Sequence, residues 1–202
     1  MFGLFCLKLK KNGSVTTNLL FYFVDKGFEL HERIMIKNVG LMYKTWSISF
    51  DLMLTKPHDE IFNILHVGDD GGSKILEVFL VINSNALDVK TIINGKQHAI
   101  KTDEITLDSW TNVEIKQSEE PANVFEFIIR INYKEIHCKQ NNEPTVNNDV
   151  KVYASYGQSQ SAGHARIRNI IIKSYPDSTQ ASTGLFFSLL LASEFVLIGL
   201  SV

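Results

Sequence analysis

The 202-residue sequence has little cysteine, little proline and no excess of basic side chains. Its 20 Lys and Arg against 22 Asp and Glu give a formal net charge of −2, so we expect no nucleic-acid partner, since such partners need a basic surface. Only four prolines, and no biased run before residue 177, argue against disorder. The 45% hydrophobic content is enough for the core of one domain without metals or disulfides.

The two cysteines, Cys6 and Cys138, are far apart and lie in unlike contexts. Two such residues do not establish a disulfide, and their spacing fits no zinc pattern. We therefore favour two separate thiols over a Cys6–Cys138 bridge.

Catalytic motifs are also lacking. The sequence has no Gly-x-Ser-x-Gly elbow and no phosphate-cradling glycine motif, and its six histidines do not pair at metal-ligand spacing. Glycosidases need two carboxylates on one strand face, whereas Glu114, Glu126 and Glu135 are scattered. The sequence therefore predicts a protein that is not an enzyme.

What the sequence does contain is apolar residues at every second position, which is typical of strands with one buried face. The alternation is clearest between residues 109 and 136 and between residues 46 and 54, and Asn94-Gly95 favours a type I′ hairpin turn. At least eight such segments, with turn residues between them and no helical period, predict an all-β, two-sheet antiparallel β-sandwich over residues 27–175. The apolar positions that define the two clearest segments are Trp46, Ile48, Phe50, Leu52 and Leu54, and Val113, Ile115, Phe125, Phe127, Ile129 and Ile131.

The order of these segments resembles the laminin G-like, concanavalin A-like jelly-roll family. The resemblance covers residues 27–175 and rests on a series of short motifs, none specific alone: residues 46–50, 62–68, 76–80, 94–95, 107–115, 131–134 and 167–170. It implies a lectin-like jelly roll. Many secreted laminin G modules have Gly-Cys before the last motif, where this chain has Ala165-Arg166, so the disulfide of those modules is not expected here.

Without a catalytic carboxylate pair, the jelly roll predicts a non-catalytic recognition domain that binds a glycan or an extracellular protein through loops at one end of the sandwich. Two alternatives stay open at this point. One is a glycoside-active enzyme on the same fold, and the other is a structural adhesion element.

The glycine-rich segment 68–73 offers hard oxygen ligands on a loop, as calcium sites of lectin-like sandwiches do. Asp69 and Asp70 are the candidate calcium ligands, and Asn148 and Asp149 are conceivable partners from a second loop. The competing interpretation is a plain turn in which Asp and Gly serve the backbone geometry.

Trp46 and Trp110 both stand at the start of alternating strands. An exposed indole can stack on a sugar ring, but a tryptophan in this position more often packs in the core or at the end of a sheet. We favour packing for both.

Residues 1–26 form an uncertain N-terminal lead-in, apolar in two pieces with Lys8, Lys10 and Lys11 between them. Because a secretory signal has its charges before the apolar run, this segment is a poor signal peptide. An amphipathic lead-in, an edge strand and an incomplete N-terminus are the alternatives, and we expect the last because the tail described next needs a secretory route.

Residues 176–183 are predicted to be a small-residue linker, and residues 184–202 a hydrophobic helix with Glu194 as its single charge. A helix of that length spans about 28 Å, close to the hydrocarbon thickness of a bilayer. The tail therefore predicts a membrane-attached cell-surface protein, held by a GPI anchor or a tail anchor. A secreted protein whose tail packs on the domain is the alternative.

Overall fold

The computed structural model describes residues 2–11 and 14–24 by their backbone, and residues 27–30, 34–57, 59–121, 123–156 and 164–176 in full. Within these ranges the chain forms fourteen strands and no helix. The strands are β1 (Phe2–Lys11), β2 (Ser14–Val24), β3 (Phe28–Glu29), β4 (Ile34–Met42), β5 (Thr45–Leu54), β6 (Phe62–Gly68), β7 (Lys74–Leu80), β8 (Leu87–Ile93), β9 (Lys96–Lys101), β10 (Thr111–Glu120), β11 (Val124–Ile131), β12 (Lys134–Asn141), β13 (Asn147–Ala154) and β14 (Ala165–Tyr175).

The strands make two antiparallel sheets. The first has the order β1-β2-β14-β5-β10-β11-β12, with β3 paired to β14, and the second has the order β4-β13-β6-β7-β8-β9. Strands from distant parts of the chain are neighbours in both sheets, as β14 and β5 are. The predicted two-sheet antiparallel β-sandwich is confirmed.

The core lies between the sheets and consists of the residues that the alternation predicted. Along β5, every second residue from Trp46 to Leu54 is buried. Strand β6 is buried at all seven positions because it lies inside the second sheet and has both faces covered. A continuous apolar run is what such a strand requires.

The hairpin of β10 and β11 extends further than the sequence indicated. The turn-forming and charged residues of 117–123 predict a loose connection between two strands. Instead, β10 continues to Glu120 and β11 begins at Val124, with Glu120 opposite Val124. Asn123 takes a φ of 58°, a left-handed conformation that asparagine tolerates well. The end of β10 was mistaken for a loop because its residues 117–120 are all polar.

The N-terminal segment supplies two strands. β1 pairs with β2, and β2 pairs with β14 through Val24 opposite Ile170, so both strands extend the first sheet beyond β14. An edge strand was one of the three alternatives left open for residues 1–26.

The predicted linker and hydrophobic helix lie outside the described residues from residue 177 onward. No helix within the described ranges is long and apolar enough to cross a membrane. Cys138 is a free, exposed thiol, and the side chain of Cys6 lies outside the described part of the structure.

Candidate ligand-binding cleft

A solvent-accessible cleft of about 110 Å³ lies at the end of the sandwich where β5 and β7 begin and β10 and β12 end. Side chains from both sheets line it. The first sheet supplies Trp46, Gln117 and Asn141, the second supplies Lys74 and Thr91, and the β12–β13 connection supplies Glu143 and Thr145. The wall is therefore rich in amide, hydroxyl and charged groups.

Two amide side chains form the deepest polar part of the cleft. Gln117 is 5% exposed and Asn141 is 3% exposed. The Gln117 Nε2 donates to the carbonyl of Lys44 at 2.6 Å, and the Asn141 Nδ2 donates to Gln117 Oε1 at 2.6 Å. Asn141 Oδ1 in turn accepts from the backbone N–H of Asn94 at 2.9 Å and of Glu143 at 3.2 Å. We call this chain of hydrogen bonds the amide relay.

The direction of the amide relay is fixed at both ends by backbone groups. A carbonyl only accepts, so Gln117 must present its nitrogen to Lys44, and its oxygen then faces Asn141. Backbone N–H groups only donate, so Asn141 must present its oxygen to Asn94 and Glu143. Each side-chain amide nitrogen keeps a second proton, and within the described part of the chain neither proton has an acceptor. The relay thus has two spare amide protons, one on Gln117 and one on Asn141, at residues that line the cleft.

The sequence did not indicate either relay residue as a site residue, because Gln117 and Asn141 each begin a run typical of a loop, 117–123 and 141–144. A signal was present, however. Gln117 continues the inward positions Val113 and Ile115 of β10, and a polar residue at an inward position of a strand must find a buried partner.

Trp46 lines the cleft but is 4% exposed and belongs to the core. Its ring meets Phe127 edge-on, with 6.2 Å between the ring centroids. Trp110 lies elsewhere, on the first sheet's side of the sandwich, and the Arg168 guanidinium lies 3.9 Å from its ring centroid. Trp46 is buried and Trp110 does not line the cleft, so the polar side chains of the cleft are its stronger recognition groups.

The segment 68–73 forms one wall of the cleft through Ser73. Asp69 holds this wall in place: its Oδ1 accepts from the backbone N–H of Ser73 at 2.8 Å, and its own N–H donates to the Ser73 carbonyl at 3.1 Å. Of the two calcium candidates, Asp69 therefore fixes a loop that borders the cleft.

Asp70 points to the outer face of the second sheet instead. Its Oδ1 accepts from the Tyr153 hydroxyl at 2.8 Å, and its Oδ2 pairs with the Lys151 ammonium. The hydrogen bond to Asp70 is the main reason that the pKa of Lys151 is raised. Asp149 is also 3.8 Å from that ammonium.

In the part of the chain described here, no group of three or more His, Cys, Asp or Glu side chains is arranged to hold a metal ion. A calcium ion at Asp70 would have to compete with Lys151. Calcium binding by Asp69 and Asp70 remains a prediction.

A second polar group, which the sequence did not indicate, lies on the outer face of the second sheet. His66 Nδ1 is 3.3 Å from Glu77 Oε1, and both residues are buried. Lys74 lies 3.2 Å from the same oxygen, and the Tyr156 ring stacks on His66 at 4.0 Å between centroids. Glu77 is thus shared between an imidazole and the one lysine that lines the cleft.

No protein-family model matches the sequence, and no curated protein does. Many solved structures share its fold. Three of them are the ligand-binding domain of botulinum neurotoxin serotype D in complex with N-acetylneuraminic acid (TM-score 0.55, 13% identity, 84% of this chain and 47% of that chain), the binding domain of botulinum neurotoxin DC in complex with rat synaptotagmin II (TM-score 0.54, 14% identity, 89% and 50%), and a heptameric SAP-like pentraxin from Limulus polyphemus (TM-score 0.51, 13% identity, 81% and 79%).

At these identities the likeness concerns the fold alone, and the chain spans about half the length of the two toxin domains. These fold neighbours are consistent with the predicted jelly-roll sandwich, and they show no family for the chain.

Proposed function

We propose that the protein is a non-catalytic recognition domain of the lectin-like jelly-roll class, and that its cleft binds a glycan. The observation that carries the proposal is the amide relay, because two buried amides with fixed orientation and spare donors are suited to sugar hydroxyls. Two fold neighbours have titles that name binding: one is in complex with N-acetylneuraminic acid and the other with a protein, synaptotagmin II. Within the class, Ala165-Arg166 stands where many laminin G modules have Gly-Cys, so the wider lectin-like jelly roll is favoured over a laminin G affiliation.

The absence of catalysis is part of the proposal. Hydrolysis of a glycosidic bond needs two carboxylates across the bond, and the described lining of the cleft contains one, that of Glu143. Turnover of β-glucans by the full chain, lost when Glu143 is changed to Gln, would favour the glycoside-active alternative.

A glycan array and affinity pull-downs with the full 202-residue chain test the proposal. Within the described residues, the Asn147 side chain lines the cleft and hydrogen-bonds only to neighbouring Thr145, so Asn147→Ala should weaken binding and leave folding intact. Lys56→Ala, at an exposed residue just after the end of β5 that lies away from the cleft, is the control and should bind as the parent does. A chain that captures no glycan or protein and self-associates in sedimentation would instead be a structural adhesion element.

We further propose that residues 184–202 attach the protein to a membrane at the cell surface. The support is the sequence itself, which has a single charge in that stretch.

A further inference from the structure

The two charged side chains that line the cleft differ in whether they already have an ion-pair partner. Lys74 and Glu143 are the two charged residues of its described lining. The Lys74 ammonium is paired with Glu77, whose carboxylate is 7% exposed and also meets His66. The Glu143 carboxylate has neither an ion-pair partner nor a hydrogen-bond donor within the described residues. The charge left over for a ligand is therefore negative.

The backbone of Glu143 is held at the cleft, and its side chain is exposed. Its backbone N–H donates to Asn141 Oδ1 at 3.2 Å, which ties it to the amide relay. Its carboxylate lies against the β8–β9 turn, where a Cβ added to Gly95 would come within 2.9 Å of Glu143 Oε2. The turn therefore leaves space for this carboxylate because residue 95 has no side chain.

The size of the cleft limits the ligand. At about 110 Å³ it is smaller than the pockets that enclose drug-sized molecules, so it limits the ligand to no more than one sugar residue. The spare protons of Gln117 and Asn141 suit hydroxyl or ring oxygens, and the Glu143 carboxylate suits a cation.

We infer that the cleft selects a terminal amino sugar, whose ammonium group pairs with Glu143 while its hydroxyl oxygens accept from the amide relay, and that it disfavours carboxylated sugars. This inference rests on the proposed glycan site and adds its selectivity. The cleft thus differs in ligand class from a site for N-acetylneuraminic acid, which carries a carboxylate.

The test is a calorimetric or NMR titration of the full chain with three probes: methyl glucosaminide, methyl glucoside and the methyl glycoside of N-acetylneuraminic acid. The amino sugar should bind about five- to tenfold more tightly than the neutral sugar, as expected for one charge-assisted contact at a partly exposed site. The acidic sugar should bind most weakly. The preference for the amino sugar should shrink as salt is added.

Glu143→Gln should bring the amino sugar to the level of the neutral sugar, and Glu143→Asp, which keeps the charge, should retain part of the preference. Glu60→Gln makes the same charge change on an exposed residue near the opposite ends of β6 and β7, and it should alter nothing.

Each other outcome has a distinct meaning. Equal or tighter binding of N-acetylneuraminic acid, or an amino-sugar preference that survives in Glu143→Gln, overturns the inference but leaves the proposed glycan site standing. Nα-acetyl-lysine amide keeps the side-chain ammonium of a lysine in a protein. If it binds as tightly as the amino sugar, the ammonium belongs to a protein partner and the inference is overturned. If none of the probes binds, the proposed glycan site itself fails.

Discussion

Gln117 and Asn141 are neutral side chains, yet the protein fixes which atom of each faces the other. The Lys44 carbonyl at one end and two backbone N–H groups at the other leave a single arrangement of donors and acceptors. A buried network of this kind is sensitive to any change that places two acceptors together, since a buried unsatisfied group costs about 1–3 kcal/mol.

Asn141→Asp makes that change, because a carboxylate oxygen replaces the Nδ2 donor opposite Gln117 Oε1. We expect the free energy of unfolding to fall by about 1–3 kcal/mol in urea denaturation. Asn142→Asp is the matched control. The exposed Oδ1 of Asn142 accepts a hydrogen bond from the Gln140 side chain, and a carboxylate oxygen can accept the same bond. Equal denaturation midpoints for the two variants would argue against the relay as described.

His137 on β12 gives the protein a pH dependence. Burial, and then the charges of Lys139 and His98, lower its pKa from the usual 6.5. The unfolded chain therefore binds more protons than the folded chain below pH 6.5, so the free energy of unfolding falls as the pH drops through 6.5 towards the folded pKa.

Denaturation midpoints between pH 7.5 and 5.5 test this assignment. The parent should lose more stability over the range than His137→Gln does, and Lys139→Gln should lie between them because one of the charges is gone. Parallel pH profiles for the parent and His137→Gln would exclude His137 as the source.

At the scale of the element, the β8–β9 turn joins a backbone requirement to the cleft. Asn94 and Gly95 have φ values of 52° and 65°, which confirms the predicted left-handed turn, and Asn94 donates to the relay. Gly95→Ala should destabilise the fold by about 1–2 kcal/mol, because alanine disfavours this φ and its Cβ would crowd Glu143. Gly71→Ala, whose nearest contact is Asp69 at 3.4 Å, should be close to neutral in the same thermal melt. Equal losses would contradict the role of the turn.

The loop 68–73 gives the calcium prediction its test. Calcium at about 100 times its Kd should add about 2.7 kcal/mol of stability if it binds the folded chain alone. The Lys151 ammonium pairs with the Asp70 carboxylate and would compete with calcium for it. The melting temperature of Lys151→Met should therefore rise at a lower calcium concentration than that of the parent, and calcium should not raise that of Asp70→Asn. Melting temperatures that are the same in EDTA and in millimolar calcium, for the parent and for Lys151→Met, would remove the prediction.

The elements that sequence could predict are those whose two faces differ in polarity. β5 and the start of β10 alternate clearly because one face packs in the core. The sequence did not decide whether residues 1–26 form strands, because their apolar residues do not alternate regularly with polar ones. Their position in the first sheet follows from the pairing of β2 with β14. The site was harder. Gln117, Asn141 and Glu143 come together only through sheet pairing and a connection, which no local pattern specifies.

For the whole molecule, the two sheets meet in the core and again at the cleft. Asn94 belongs to a turn of the second sheet, whereas Asn141 and Gln117 belong to the first. The hydrogen bonds between them therefore join the sheets at the end that we propose binds the ligand. A cleft with such support keeps its donors in place before the ligand arrives, which lowers the entropic cost of binding.

The residues after the last strand decide where that cleft operates. A stretch as apolar as residues 184–202 favours lipid strongly, at about 0.8 kcal/mol for each CH₂ group removed from water, so we expect the full chain to fractionate with membranes. With a GPI anchor, phosphatidylinositol-specific phospholipase C should release the protein from intact cells. With a tail anchor, the lipase should have no effect and the chain should stay with the membrane through carbonate extraction.

Glu194→Leu removes the one charge of the segment, which is costly inside a bilayer, and should make membrane retention stronger in a tail-anchored protein. A chain that is soluble after carbonate washing, with residues 184–202 still present by mass spectrometry, would contradict both forms of attachment and favour a tail that packs on the sandwich.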